Sequence, residues 1–117
     1  LSLYEQYREL TPPGEAGDLI IRRLAERLVE IDLLDRAAEL LDQQVQFRLT
    51  GEEKARVGAR LAAIRLLDNR PEEAIAALDK SDQPGLPQAL VEERRLLRAR
   101  ALFQTGQGAQ AVALLAD

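Results

Sequence analysis

Apolar residues recur along this chain at three- and four-residue intervals, with charged residues filling the positions between them. That spacing places one apolar stripe on each of a series of helices. Leu3, Tyr7 and Leu10 predict a short helix over 2–10, with Ser2 and Glu5 spaced as a capping box. The Thr-Pro-Pro-Gly run at 11–14 breaks it. From 15 or 18 to 31, Ile21, Leu24, Ala25, Leu28 and Ile31 share one stripe. After a turn at 32–35, in which Asp35 is placed to cap, Ala37, Ala38, Leu41, Val45 and Leu49 do the same over 36–49. Thr50 and Glu53 are spaced as a second capping box, opening a helix over 52–68 that turns Val57, Leu61, Ala62 and Ile64 inward. Pro71 stands at the first position of the next helix, 71–80, followed by Glu72 and Glu73 against its positive end. Beyond the Pro84-Gly85 turn, a helix over 87–105 carries Leu90, Leu97, Ala101 and Leu102, and a last one covers 109–115. No segment alternates with the period of a strand. The expected class is all-α, with about seven helices joined by short turns.

A longer period overlies the helical one. Ala37-x3-Leu41, Ala74-x3-Leu78 and Ala111-x3-Leu115 recur every 37 residues, and Leu24-Ala25, Leu61-Ala62 and Arg98-Ala99 keep step with them. A small residue repeated at fixed phase marks where two helices touch, because a larger side chain would hold the backbones apart. Ala37 and Ala74 are therefore expected to be buried.

Composition narrows the functional classes. With 46% apolar and 31% charged residues, the 117-residue chain can bury a core without staples. Aromatics are 3%, which leaves little for stacking bases or sugars. There is no cysteine, hence no disulfide or thiolate metal site, and cytoplasm and periplasm are both compatible. There is no histidine either, so the commonest general base and the best nucleophile are both missing. The pairs Glu52-Glu53, Glu72-Glu73 and Glu92-Glu93 sit at helix starts, where the dipole accounts for them. The expectation is a non-enzyme without cofactor or metal. No apolar run is long enough to span a membrane. Net charge is −4 and the sequence pI about 5.0, which weighs against nucleic acid as a partner. The arginine group Arg94, Arg95, Arg98 and Arg100 is the densest basic stretch and carries the alternative of a nucleic-acid-binding helical repeat, although Glu92 and Glu93 adjoin it. Arg65 falls beside an apolar seam and is expected to pair with an acid of a neighbouring helix.

The repeated Leu-Ala and Ala-x3-Leu elements resemble the tetratricopeptide repeat, whose pattern has Leu-Gly or Leu-Ala and a large residue on helix A and Ala-x3-Phe on helix B. Leu24-Ala25-x2-Leu28 with Ala37-x3-Leu41 matches well; Leu61-Ala62 with Ala74-x3-Leu78, and Ala99 and Leu102 with Ala111 and Leu115, follow. The period is 37 rather than the family's 34, the closing proline is missing, and Gly58 and Arg95 replace a large residue on helix A. The resemblance implies a right-handed superhelical stack of antiparallel helix pairs in one domain over 1–117. Its units would be 14–50, 51–87 and 88–117, with 1–13 the last helix of a preceding unit. The start at Leu1 and the stop at Asp117 suggest a piece of a longer array, whose exposed ends would self-associate. The resemblance also implies an interaction or scaffold role, in which a protein or peptide lies on the concave wall of the A helices. The matching positions are Arg22, Glu26 and Val29; Arg56, Ala59, Ala63 and Leu66; and Glu93, Leu96, Arg100 and Phe103. The Lys/Asn carboxylate clamp of chaperone-binding members is not matched, since Glu26 follows Arg22.

Overall fold

The computed structural model describes residues 15–116. Six helices carry the regular structure there: α1 Glu15–Glu30, α2 Leu34–Phe47, α3 Gly51–Leu67, α4 Pro71–Lys80, α5 Gln88–Gln104 and α6 Gly108–Ala116. Among the described residues there is no strand, and the class is all-α. The seventh expected helix, over 2–10, lies outside the described residues.

Three of the turns are copies of one another. Asp32, Asn69 and Gly106 stand 37 residues apart, and each has left-handed backbone, with φ of 64°, 57° and 81°. Around each, the same backbone bonds close the preceding helix. Leu33 N–H reaches Leu28 O, Arg70 N–H reaches Arg65 O and Gln107 N–H reaches Leu102 O, all at 2.8 Å. The left-handed residue's own N–H bonds the carbonyl three positions back: Val29, Leu66 and Phe103. Such a turn satisfies carbonyls that the end of a helix leaves open, and it reverses the chain within a few residues. Aspartate, asparagine and glycine are the residues that adopt this conformation most cheaply. The result is three hairpins, α1–α2, α3–α4 and α5–α6, each packed along its length.

The alanines hold these hairpins together. Ala25, Ala62 and Ala99 on the first helices, and Ala37, Ala74 and Ala111 on the second, are all buried. Ala25, Ala37, Ala62 and Ala74 belong to one cluster that runs from Ile21 through Leu41, Val45, Leu61, Ile64 and Leu78 to Leu90, Leu97 and Ala101. Ile31, placed on the inward stripe by its spacing, is 64% exposed, because α1 has ended before it and the turn carries it outward. Each helix packs on its neighbours in sequence, and α3 also packs on α5 and α2 on α4.

Two of the expected caps do not form. Thr50 occupies the N-cap position of α3 but makes no side-chain cap bond, and Leu33, not Asp35, is the N-cap of α2. The carboxylates involved turn instead to arginines on other helices: Glu53 pairs with Arg22 of α1, and Asp35 with Arg65 of α3 at 3.2 Å. A charged partner across a helix contact competes well with a backbone N–H at an exposed cap.

Candidate functional site

The residues assigned to the A-helix wall occupy one register, repeated at 37, but they do not form one open surface. On α1, Arg22 is joined to Glu53 of α3, and Glu26 takes both Nε and Nη2 of Arg60 at 2.7 and 2.6 Å; Val29 is half-buried. On α3, Ala59 and Leu66 are 2% and 3% exposed, inside the same cluster as Leu90, Leu97 and Ala101 of α5. Expected on a partner-facing wall, they are core instead, because α5 packs on α3. Ala63 is half-buried, and Arg56 is exposed and bonded to Glu52 one turn back at 2.5 Å. On α5 the register opens to solvent. Leu96 and Phe103 are each 53% exposed, with Glu93 and Arg100 exposed beside them.

One period separates two versions of the same paired positions. The ion pairs between α1 and α3 are Arg22–Glu53 and Glu26–Arg60. Thirty-seven residues on, the positions are Ala59 and Leu90, and Ala63 and Leu97, of which all but the half-buried Ala63 are buried. Charge complementarity at one junction is replaced by apolar packing at the next. The hydrogen bond from Arg60 to Glu26 holds the Arg60 guanidinium above its ordinary pKa.

Arg94 is the site that sequence reasoning misplaced. Read as part of an exposed basic patch, it is buried, and its guanidinium reaches three oxygens. Nη1 donates to Ala55 O of α3 at 2.7 Å and to Ser81 Oγ at 3.0 Å; Nη2 donates to Leu78 O at 2.7 Å. Leu78 O lies in the last turn of α4, where the helix dipole is negative and carbonyls lack intrahelical donors. Burial pushes the Arg94 pKa down, Asp82 acting the other way, and the guanidinium remains cationic throughout. Ser81 in turn donates from Oγ to Ala77 O at 2.7 Å. It sits where a side chain at Gly58 would be, since a Cβ there would come within 1.9 Å of Ser81 Oγ. Gly58 thus admits the end of α4 to α3. A glycine inside a helix is costly, and such a residue usually marks a close approach. That was the available signal.

The remaining basic residues are divided. Arg98 donates to Asp79 Oδ1 at 2.7 Å, Arg95 is half-buried, and Arg100 points to solvent from the other side of α5. The four arginines therefore do not present one continuous cationic face. Arg65 pairs with Asp35 and Glu73, both at 3.2 Å, and so ties α3 to the first turns of α2 and α4. Among the described residues no group of acidic side chains is arranged to hold a metal ion, and no helix is long and apolar enough to cross a membrane. No protein-family model matches the chain, and comparison with curated proteins and with solved structures returns no match.

Proposed function

We propose that the chain is a non-catalytic protein–protein interaction module, built as a right-handed stack of tetratricopeptide-like hairpins, that docks a protein partner on the outer face of α5. The observation carrying this reading is the exposure of Leu96 and Phe103 at positions whose counterparts, Ala59 and Leu66, are core. An apolar face of that kind continues an interface already used once within the chain, and large apolar side chains left in water at fixed register mark association surfaces. The stack itself is supported by the three matching turns, the alternate-helix packing of α3 on α5, and the paired positions that link α1 to α3 and α3 to α5. Arg100, between the two apolar residues, favours an acidic side chain in the partner.

The test is affinity capture with the wild-type chain, followed by titration of the captured protein against variants. Phe103→Ser and Leu96→Ser should each weaken binding at least tenfold with helicity unchanged. Retained binding in both, with loss on Glu39→Arg or Asp79→Arg, would move the working surface to the second helices and end this reading.

A further inference from the structure

A second recess lies on the opposite side of α5. A shallow cavity of about 440 Å³ opens between α5, α6 and the 81–87 loop, walled by Leu86, Val91 and Leu114, with Arg95 and Arg98 at its rim. Five arginines of the described residues are withdrawn from solvent, and four have partners. Arg22, Arg65 and Arg98 hold carboxylates, and Arg94 holds carbonyls and a hydroxyl. Arg95 alone makes no hydrogen bond or ion pair. The acids nearby do not supply one: Asp79 is taken by Arg98, and Asp82, which also lines the cavity, forms no ion pair with Arg95. The side-chain amide of Gln83 is turned to the Asp82 carbonyl.

We propose that this cavity binds a carboxylate-bearing, aliphatic peptide segment, with Arg95 as the residue that receives the carboxylate. A half-buried guanidinium offers two parallel N–H donors whose spacing matches one carboxylate. Arg95 is the unpaired cation of the lining and stands beside three aliphatic walls, which suits one carboxylate flanked by leucine-like side chains; the exposed Asp82 carboxylate in the same lining opposes a second negative charge. A phosphate dianion would require several converging donors, and here the second arginine is already engaged. The site is independent of the outer face of α5, because Val91, Arg95 and Arg98 stand on the far side of the helix from Leu96, Arg100 and Phe103.

The test is an NMR titration of the whole chain that follows the Arg95 Nε–Hε signal. The probes are a capped peptide of alternating leucine and glutamate, its glutamine counterpart, and inorganic phosphate. The glutamate peptide should shift Arg95 saturably, and the glutamine peptide should bind at least tenfold more weakly. Arg95→Gln should lose at least tenfold in affinity. Val91→Glu, which sets a carboxylate one turn before Arg95, should block the peptide to the same extent, and Phe103→Ala should leave the titration unchanged. Equal binding of the glutamine peptide, no saturable shift at millimolar peptide, or saturation by phosphate at the same concentration would overturn the proposal. So would loss of binding in Phe103→Ala, which would place the peptide on the other face.

Discussion

The α3–α4 and α5–α6 hairpins share a turn, a period and a set of buried alanines, yet they treat their apolar residues oppositely. In the first, Ala59, Leu66 and Leu78 are buried and Ile75 is half-buried. In the second, the counterparts Leu96, Phe103, Leu115 and Val112 are all exposed. The exposed set is no more polar; two of its members are larger than the residues they replace. What differs is the neighbour. The first hairpin is packed by α2 and by α5, whereas among the described residues the second is packed by α3 and α4 alone. Burial at a repeated register is therefore set by what packs on it, and an apolar residue on an uncovered side keeps the character of a contact without having one.

The largest effect that can break this comparison is a matched pair of truncations. Leu66→Ala should cost about 2–5 kcal/mol, the range for a leucine removed from a packed core, while Phe103→Ala should stay within about 0.5 kcal/mol. Urea denaturation measures both. Similar losses would mean that Phe103 is covered in solution and that the two hairpins are not different after all.

Next in size is the contrast between adjacent arginines. Arg94→Met removes the donor to Leu78 O and Ala55 O and should cost about 2 kcal/mol, since the end of α4 loses its charged partner. Arg95→Met, one residue on, breaks no bond and should be close to neutral. Equal effects would show that the buried network contributes nothing beyond side-chain packing. Of comparable size is overpacking at the alanines. Ala74→Leu should cost about 1–3 kcal/mol, because α4 is held between α3 and α5. Ala111→Leu, equally buried, should cost less, since the nine-residue α6 can shift outward. Thermal melts of the two variants decide the order.

The hairpins were legible because small residues at helix contacts leave a fixed-phase signature, and Ala37, Ala74 and Ala111 carry it plainly. The turns were legible as turns, but their identity was not. Asp32, Asn69 and Gly106 look unlike, and only their shared tolerance of left-handed backbone makes them one device. The wall was legible in register and illegible in exposure. Ala59 and Leu66 stand in line with Leu96 and Phe103, and helical periodicity cannot say that α5 lies over the first pair. Arg94 was lost for a related reason. Among Arg94, Arg95, Arg98 and Arg100, only the position of Ser81 and the gap at Gly58 select the one that goes inside.

The smallest effect separates the two junctions themselves. Glu26→Ala removes the carboxylate that Arg60 grips with two bonds, yet both side chains remain 42–47% exposed, so water replaces much of what is lost. The expected cost is about 0.5 kcal/mol at low salt, and it should vanish near 1 M sodium chloride, where charges are screened within about 3 Å. At the next junction the matching positions are Ala63 and Leu97, which carry no charge to screen. Leu97→Ala should therefore destabilise by a similar amount at both salt concentrations, and by more than Glu26→Ala at either. Denaturation of both variants across a salt series tests this. A loss for Leu97→Ala that fades with salt, or one for Glu26→Ala that persists, would mean that the two junctions are not alternative forms of one contact.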